Sequence, residues 1–122
     1  MQAQAPLLSG LSGNGSKVFL CLQCSLAVTS ADRALGIGGR MRHVFMNPLG
    51  IEFDFMTFIA CPGAIAVGAP TEEHTWFPGY GWRLALCRGC GVHLGWHYCR
   101  ELPVRRPAEF WGILTAHVTP RP

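Results

Sequence analysis

The sequence C-R-G-C-G at residues 87–91 decides the fold, together with its counterpart C-L-Q-C at residues 21–24. Four cysteine thiolates in two such pairs are enough to complete the tetrahedral shell of a Zn²⁺ ion. Gly91 allows a tight turn in which backbone N–H groups point at the sulfur atoms. Because 62 residues separate the pairs, the metal would join two hairpins that are remote in sequence. The sequence therefore predicts a structural zinc site of four cysteines, Cys21, Cys24, Cys87 and Cys90.

A redox-active dithiol is the alternative chemistry for a C-x-x-C pair. Pairs of that type usually stand at the N-terminus of a helix that follows a strand. Neither pair is followed by a helical pattern here. The residues therefore favour a structural metal site over redox chemistry.

Length and composition indicate one domain with one core. The chain has 122 residues, of which 49% are hydrophobic and 14% are charged. A chain of this composition buries much of its length on folding. The ten Lys and Arg residues are scattered and the net charge is only +3, so we expect no nucleic-acid partner.

Residues 1–16 are rich in Gln, Ala, Gly and Ser and are predicted to be a disordered N-terminal tail. They lack the basic start and the apolar stretch of a secretory signal, and no segment approaches the roughly 18 apolar residues of a membrane span. We therefore expect a cytoplasmic protein with no membrane partner, because a reducing compartment favours metal-bound cysteines over disulfides. The folded domain is predicted to cover residues 17–119.

Short alternating segments and proline-containing turns predict an all-β fold. The sequence N-P-L-G at residues 47–50 is typical of a turn in which proline presets φ and glycine closes the turn. Residues 51–55 alternate apolar and charged side chains, as a half-buried strand does. The sequence F-P-G-Y at residues 77–80 predicts a second turn, and residues 82–86 alternate again before the second cysteine pair. We expect antiparallel hairpins, pinned by zinc, and almost no helix.

Three of the four tryptophans, Trp76, Trp82 and Trp96, fall within 21 positions. The metal clamp would bring the second turn, which Trp76 and Trp82 flank, next to the strand that carries Trp96. One interpretation is a core aromatic cluster. The other is a cage whose walls are three indole rings and whose floor is Tyr98, with neighbouring glycines that let both the neighbouring backbone and a ligand approach closely. The residues alone leave both open, because tryptophan is rarely fully buried.

Several strings of the sequence resemble the thalidomide-binding (CULT) domain of the cereblon family: F-L-C-L-Q-C (residues 19–24), E-H-T-W-F-P-G-Y-G-W (73–82), C-R-G-C-G-V-H-L-G-W-H-Y (87–98) and F-W-G-I-L (110–114). In length the chain is similar to short, single-domain members from bacteria. The resemblance implies two antiparallel sheets that meet at an angle, a β-tent, joined near the zinc. The chain lacks the adaptor-binding segments of the full ligase receptor, so we do not carry ubiquitin-ligase function over.

The resemblance also implies a binding module without catalysis, whose ligands are cyclic imides such as glutarimide and thalidomide-type compounds. In the family the imide N–H donates to the backbone carbonyl at the position of His74. One imide carbonyl accepts from the backbone N–H at the position of Trp76. The implied partners are small cyclic imides, weakly the uracil edge of uridine, and peptides with a C-terminal cyclic imide. The implied ligand-binding residues are Asn47, His74, Trp76, Trp82, Trp96 and Tyr98.

Two other functions fit parts of the sequence. Zinc-bearing methionine sulfoxide reductases also have two C-x-x-C pairs on a related β fold. Cys99 imitates the context of their nucleophile and Cys61 would be the resolving thiol, although both are more simply free structural thiols. Three aromatic side chains also suit a reader of methylated ammonium groups, for which Glu72 and Glu73 would supply a carboxylate.

Overall fold

The computed structural model describes residues 17–122, and the predicted N-terminal tail (residues 1–16) lies outside the described residues. The strands are β1 Val18–Cys21, β2 Ala27–Ser30, β3 Arg42–Met46, β4 Glu52–Phe58, β5 Ala64–Thr71, β6 Tyr80–Cys87, β7 His93–Arg100, β8 Glu109–Leu114 and β9 Val118–Arg121. Helix within this part of the chain is limited to single 3-10 turns at Ala31–Arg33 and Thr115–His117, and neither turn could span a membrane. The predicted all-β class is confirmed.

The strands form two antiparallel sheets, as predicted. The smaller sheet has three strands in the order β9-β1-β2, and the larger sheet has six in the order β3-β4-β8-β7-β6-β5. Strand β1 ends at Cys21 and strand β6 ends at Cys87. Each sheet therefore leads directly into one of the two cysteine pairs.

The hairpin of β3 and β4 shows how the local sequence builds the larger sheet. The backbone N–H of Gly50 donates to the carbonyl of Asn47 at 2.9 Å, which closes the turn that the proline predicts. The side-chain oxygen of Asn47 accepts from the backbone N–H groups of Leu49 and Ile51 at 3.0 and 2.9 Å. Asparagine thus stabilises the turn with its own side chain, and the hairpin extends to the edge of the aromatic pocket described below.

Two clusters of buried side chains form the interior. The first joins the two sheets: Phe19 comes from β1, Val28 from β2, and Leu94 and Ile113 from the larger sheet. The second is mostly aromatic and belongs to the larger sheet and the segment before β6; its buried members are Phe55, Phe77, Tyr80, Trp96, Tyr98, Phe110 and Leu114. The first cluster fixes one sheet on the other, and the second supports the pocket.

Candidate functional site

The four predicted metal ligands lie together at the junction of the two sheets. The sulfur atoms of Cys21, Cys24, Cys87 and Cys90 all lie within 4.8 Å of one another. Cys21 Sγ is 3.7 Å from Cys90 Sγ, and Cys24 Sγ is 3.6 Å from Cys87 Sγ. A tetrahedron with metal–sulfur bonds of about 2.3 Å has sulfur–sulfur edges of about 3.8 Å. All four cysteines are free thiols, so the donor set and its spacing fit a metal ion.

The two cysteine pairs fold in the same way although their sequences differ. In each, the first cysteine's carbonyl accepts from the backbone N–H four residues later: Cys21 from Ser25 and Cys87 from Gly91, both at 2.8 Å. Gly91 has φ = +78° and Ser25 has φ = +68°, a conformation that glycine adopts without strain. The sequence reveals the turn residue of the second pair, whereas Ser25 gives no such signal.

The backbone of the second turn prepares one thiol for metal binding. Burial of Cys87 opposes ionisation, but hydrogen bonds from the backbone N–H groups of Cys90 and Gly89 and from the neighbouring thiols together lower the pKa of the Cys87 thiol to about 7. In the same cluster burial raises the pKa of Cys21, and the contacts with the other thiols raise that of Cys24, so of these three cysteines Cys87 ionises most readily. The N–H of Gly89 lies 3.4 Å from this sulfur. Metals bind cysteine as the thiolate, so the local backbone favours the form that a metal needs.

The predicted ligand-binding residues surround one cavity of about 330 Å³. All six predicted residues line it, and three others join them. The lining residues are Asn47, Pro48, Phe53, His74, Trp76, Trp82, Leu84, Trp96 and Tyr98. Leu84 was not predicted as a lining residue, although it lies two positions after Trp82 in an alternating strand and therefore shares its face.

Strand register brings four lining side chains to one face of the larger sheet. Trp82 on β6 lies opposite Tyr98 on β7, and Leu84 lies opposite Trp96. Strand β8 approaches β7 closely at this point: a Cβ atom on Gly95 would overlap the carbonyl oxygen of Gly112. At Gly95, therefore, the missing side chain lets the backbones of β7 and β8 approach each other closely.

Two indole N–H groups hold the 72–79 segment against the rest of the pocket. Trp76 Nε1 donates to the carbonyl of Met46 at 3.0 Å, and Trp82 Nε1 donates to the carbonyl of Glu73 at 2.8 Å. His74, which lies between Glu73 and Trp76 in the sequence, has φ = +57°, which is uncommon for a residue with a side chain. The two rings thus use their polar edges for anchoring and leave their faces to line the cavity.

The aromatic rings meet at steep angles. The ring centroids of Trp76 and Trp96 are 5.1 Å apart with planes at 84°, and those of Phe53 and Trp96 are 5.4 Å apart at 86°. Trp76 also stacks on Phe45 and Phe55, at 5.5 and 5.6 Å. Edge-to-face packing of this kind makes a rigid corner. The tryptophans therefore belong both to the aromatic core and to the wall of a cavity, so the two interpretations of the sequence are not exclusive.

Tyr98 lies at the inner side of the cavity and is almost fully buried. It stacks on Phe110 with ring centroids 4.8 Å apart, and the edge of Phe77 packs against it at 4.9 Å. Burial raises the pKa of its hydroxyl group, so the phenol stays neutral at physiological pH.

The cavity is lined by no aspartate, glutamate, lysine or arginine. Among its lining residues the polar side chains are those of Asn47, His74 and Tyr98 together with the tryptophan N–H groups, and no carboxylate is present. The oxygen of Asn47 is engaged by its own turn, so the NH₂ group remains for a ligand. Such a cavity suits a flat, uncharged molecule with hydrogen-bonding edges.

The two remaining cysteines lie outside the lining of this cavity. Burial, followed by the nearby charges of Glu101 and Glu109, raises the pKa of the Cys99 thiol. Burial also raises the pKa of Cys61, to about 12. Both shifts disfavour the thiolate, which is the reactive form.

Comparison with known proteins finds relatives that carry the name cereblon. No family model matches the chain. It is 34% identical to "Protein cereblon" of Gallus gallus over 104 residues, which is 83% of this chain and 23% of that protein. It is 32% identical to "Protein cereblon" of Danio rerio over 103 residues, 82% of this chain and 24% of that protein. The Xenopus tropicalis protein of the same name is 35% identical over 77 residues, 63% of this chain and 17% of that protein. The chain spans less than a quarter of the length of these relatives.

Proposed function

Because the chain belongs to the cereblon family as a cereblon-like (CULT) domain, we propose that it is a binding module for cyclic imides of the glutarimide type. The observation that carries the proposal is the mostly aromatic cavity of about 330 Å³ lined by Trp76, Trp82 and Trp96. Its volume lies at the lower end of the range for small-molecule sites. The cavity thus has room for a glutarimide, which has about eight heavy atoms in all, and for part of a substituent on its ring.

Two backbone groups at the rim suit the edge of an imide. Among the described residues, the carbonyl of His74 and the N–H of Trp76 take part in no backbone hydrogen bond. An imide presents a donor flanked by two acceptors, so its N–H would donate to His74 and one carbonyl would accept from Trp76. Trp82, Trp96 and Tyr98 would then cover the faces of the ring. This division between apolar faces and polar edge is the usual source of specificity in small pockets.

The affinity of such a pocket for glutarimide is bounded by ligand size. The best small ligands gain about 1.5 kcal/mol per heavy atom, which sets a ceiling near 12 kcal/mol for about eight atoms. Real complexes fall well short of that ceiling, so we expect micromolar binding, about −7 to −8 kcal/mol. Uridine carries the same acceptor–donor–acceptor edge on a six-membered ring that also bears a ribose, and it should bind more weakly.

The metal in this proposal is zinc with a structural role. Four cysteines complete its shell and leave no open position for a substrate. The physiological ligand would be a small cyclic imide or a peptide that ends in one, and the protein would act without catalysis in a reducing cytoplasm. The raised pKa values of Cys61 and Cys99 support a non-catalytic role for both thiols.

A calorimetric titration distinguishes this function from its rivals. Glutarimide should bind to the wild-type protein with micromolar affinity, and a trimethyl-lysine peptide should give no saturable signal because the lining holds no carboxylate. Incubation with a methionine sulfoxide peptide and dithiothreitol should yield no methionine. Binding of the ammonium peptide in preference to glutarimide, or turnover that Cys99→Ser abolishes, would replace the proposed function by the corresponding rival.

A further inference from the structure

Three arginines lie together where strand β7 ends and the loop to β8 begins. Arg100 is the last residue of β7, and Arg105 and Arg106 belong to the loop of residues 101–108. The three ion pairs in the described part of the chain involve other side chains. All seven acidic residues of the sequence lie after residue 16. Within residues 17–122 no carboxylate forms an ion pair with any of the three arginines, and the one acidic residue of the loop, Glu101, also lies outside ion-pair distance.

Two of the guanidinium groups converge on one neutral acceptor. Arg100 Nη1 donates to the carbonyl oxygen of Arg105 at 3.1 Å, and Arg106 Nη1 lies 3.4 Å from the same oxygen. Arg106 Nη1 also donates to the carbonyl of Pro103 at 3.3 Å. Each guanidinium carries five N–H donors, so most donors of the pair stay available for a ligand.

The third arginine is held by packing rather than by hydrogen bonds. The side chain of Arg105 lies across Gly79, where a Cβ atom would come within 2.5 Å of Arg105 Nε. Within residues 17–122 its guanidinium has no hydrogen-bond partner of the kind that Arg100 and Arg106 have. Only glycine at position 79, which has φ = +92°, accommodates both the turn and this side chain.

The loop that carries the cluster is fixed to the sheet. The backbone N–H of Glu101 donates to the carbonyl of Gly79 at 2.7 Å, and the N–H of Arg100 donates to Ala108 at 2.9 Å. The hydroxyl of Tyr80 donates to the carbonyl of Pro107 at 2.6 Å. An anion would therefore meet a loop that is already ordered, which lowers the entropic cost of binding.

We propose that Arg100, Arg105 and Arg106 form a binding site for a phosphate group, present as free phosphate or carried by a phosphorylated side chain of a partner protein. The planar guanidinium fork matches the oxygens of such a group, and a dianion balances three cations better than a single carboxylate does. Nucleic acid is disfavoured because it is usually bound by a more extensive basic patch or stripe, whereas Arg42 is paired with Asp54 and Arg88 donates to backbone carbonyls. None of the three arginines lines the imide pocket, so this site is separate.

The test is a calorimetric titration of the full chain at constant ionic strength. The probes are inorganic phosphate, a short phosphoserine peptide and its unphosphorylated counterpart, and the variants are Arg106→Gln and Arg106→Lys. Arg121→Gln is the matched control, because Arg121 is exposed on β9 and the charge change is the same. Urea midpoints establish that every variant is folded.

We expect saturable phosphate binding by the wild type, binding at least about tenfold weaker in Arg106→Gln, and a change of less than about twofold in Arg121→Gln. Partial retention in Arg106→Lys is expected, because lysine keeps the charge without the fork. Tighter binding of the phosphopeptide than of phosphate identifies a phosphorylated partner, and equal binding identifies the free ion. The proposal is overturned by no saturation with either probe up to about 10 mM, or by equal losses in Arg106→Gln and Arg121→Gln. Arginine-dependent binding of phosphatidylserine vesicles or of single-stranded DNA without phosphate binding also overturns it.

Discussion

Replacement of Cys24 by serine should remove a large part of the stability of this domain. Cys24 is exposed, so the substitution costs little packing, yet it removes one of four sulfurs from the cluster. A metal bound to the cluster would close a loop, and 62 residues of that loop lie between Cys24 and Cys87. A cross-link over a loop of that length contributes about 4 kcal/mol through chain entropy, and domains of this size have a total stability of about 5–15 kcal/mol.

The assay is urea denaturation with and without a chelator, together with the metal content of the purified protein. With about 1–3 kcal/mol lost per molar urea, a loss of about 4 kcal/mol shifts the midpoint by at least about 1 M. The chelator should act on the wild type in the same way and should have little effect on Cys24→Ser. Cys99→Ser is the matched control, because Cys99 is a free thiol outside the cluster, and its midpoint should stay near that of the wild type.

The reasoning is refuted if Cys24→Ser has the wild-type midpoint. It is equally refuted if wild-type protein purified without chelator contains no stoichiometric metal and its urea midpoint is the same with and without chelator. Either result would mean that the packing of Phe19, Val28 and their neighbours joins the two sheets without help from the cysteines.

Three further predictions concern the pocket and the buried thiol. Trp82→Ala should weaken glutarimide binding at least about tenfold in calorimetry, since an indole face leaves the ring, whereas Ile59→Ala, at an exposed site elsewhere, should change it less than about twofold. His74→Ala should keep binding within about threefold, because only the carbonyl is used, but His74→Pro should abolish it, since proline cannot adopt φ = +57°; equal losses would contradict the backbone contact. Burial raises the pKa of Cys61 from 9.0 to about 12, so its contribution to stability is complete below pH 9 and is lost between about pH 9 and 12. Wild type should therefore lose about 2 kcal/mol more than Cys61→Ala between pH 8 and pH 10.5, measured by urea unfolding; parallel losses would contradict this.

The sequence predicts the fold class and the clustering of the four cysteines well because both depend on local signals. Turn residues such as those at 47–50 and 77–80 separate short alternating strands, and two C-x-x-C pairs have few uses other than a shared metal. The order of strands in the larger sheet had no such signal. It places β8 between β4 and β7, a pairing that depends on contacts between residues far apart in the chain.

The pocket residues were named from a resemblance rather than from local physics. The residues alone left open whether Trp76, Trp82 and Trp96 are core or cage, and the structure shows why: Trp76 stacks on Phe45 and Phe55 while it also lines the cavity. The arginine cluster could not be predicted from the sequence either, because the ten basic residues are scattered along the chain. Only the folded loop shows which of them lack an acidic partner.

The pocket's use of the His74 carbonyl as an acceptor can be tested by one comparison, the affinities of glutarimide and N-methylglutarimide for the wild-type protein. Methylation removes the only donor of the ring and leaves the carbonyl unpaired, which costs at least about 2 kcal/mol, and should therefore lower the affinity by a factor of about 30 or more. Equal affinities, with glutarimide itself bound, would contradict the account, because the imide N–H would then make no hydrogen bond to the His74 carbonyl that contributes to binding.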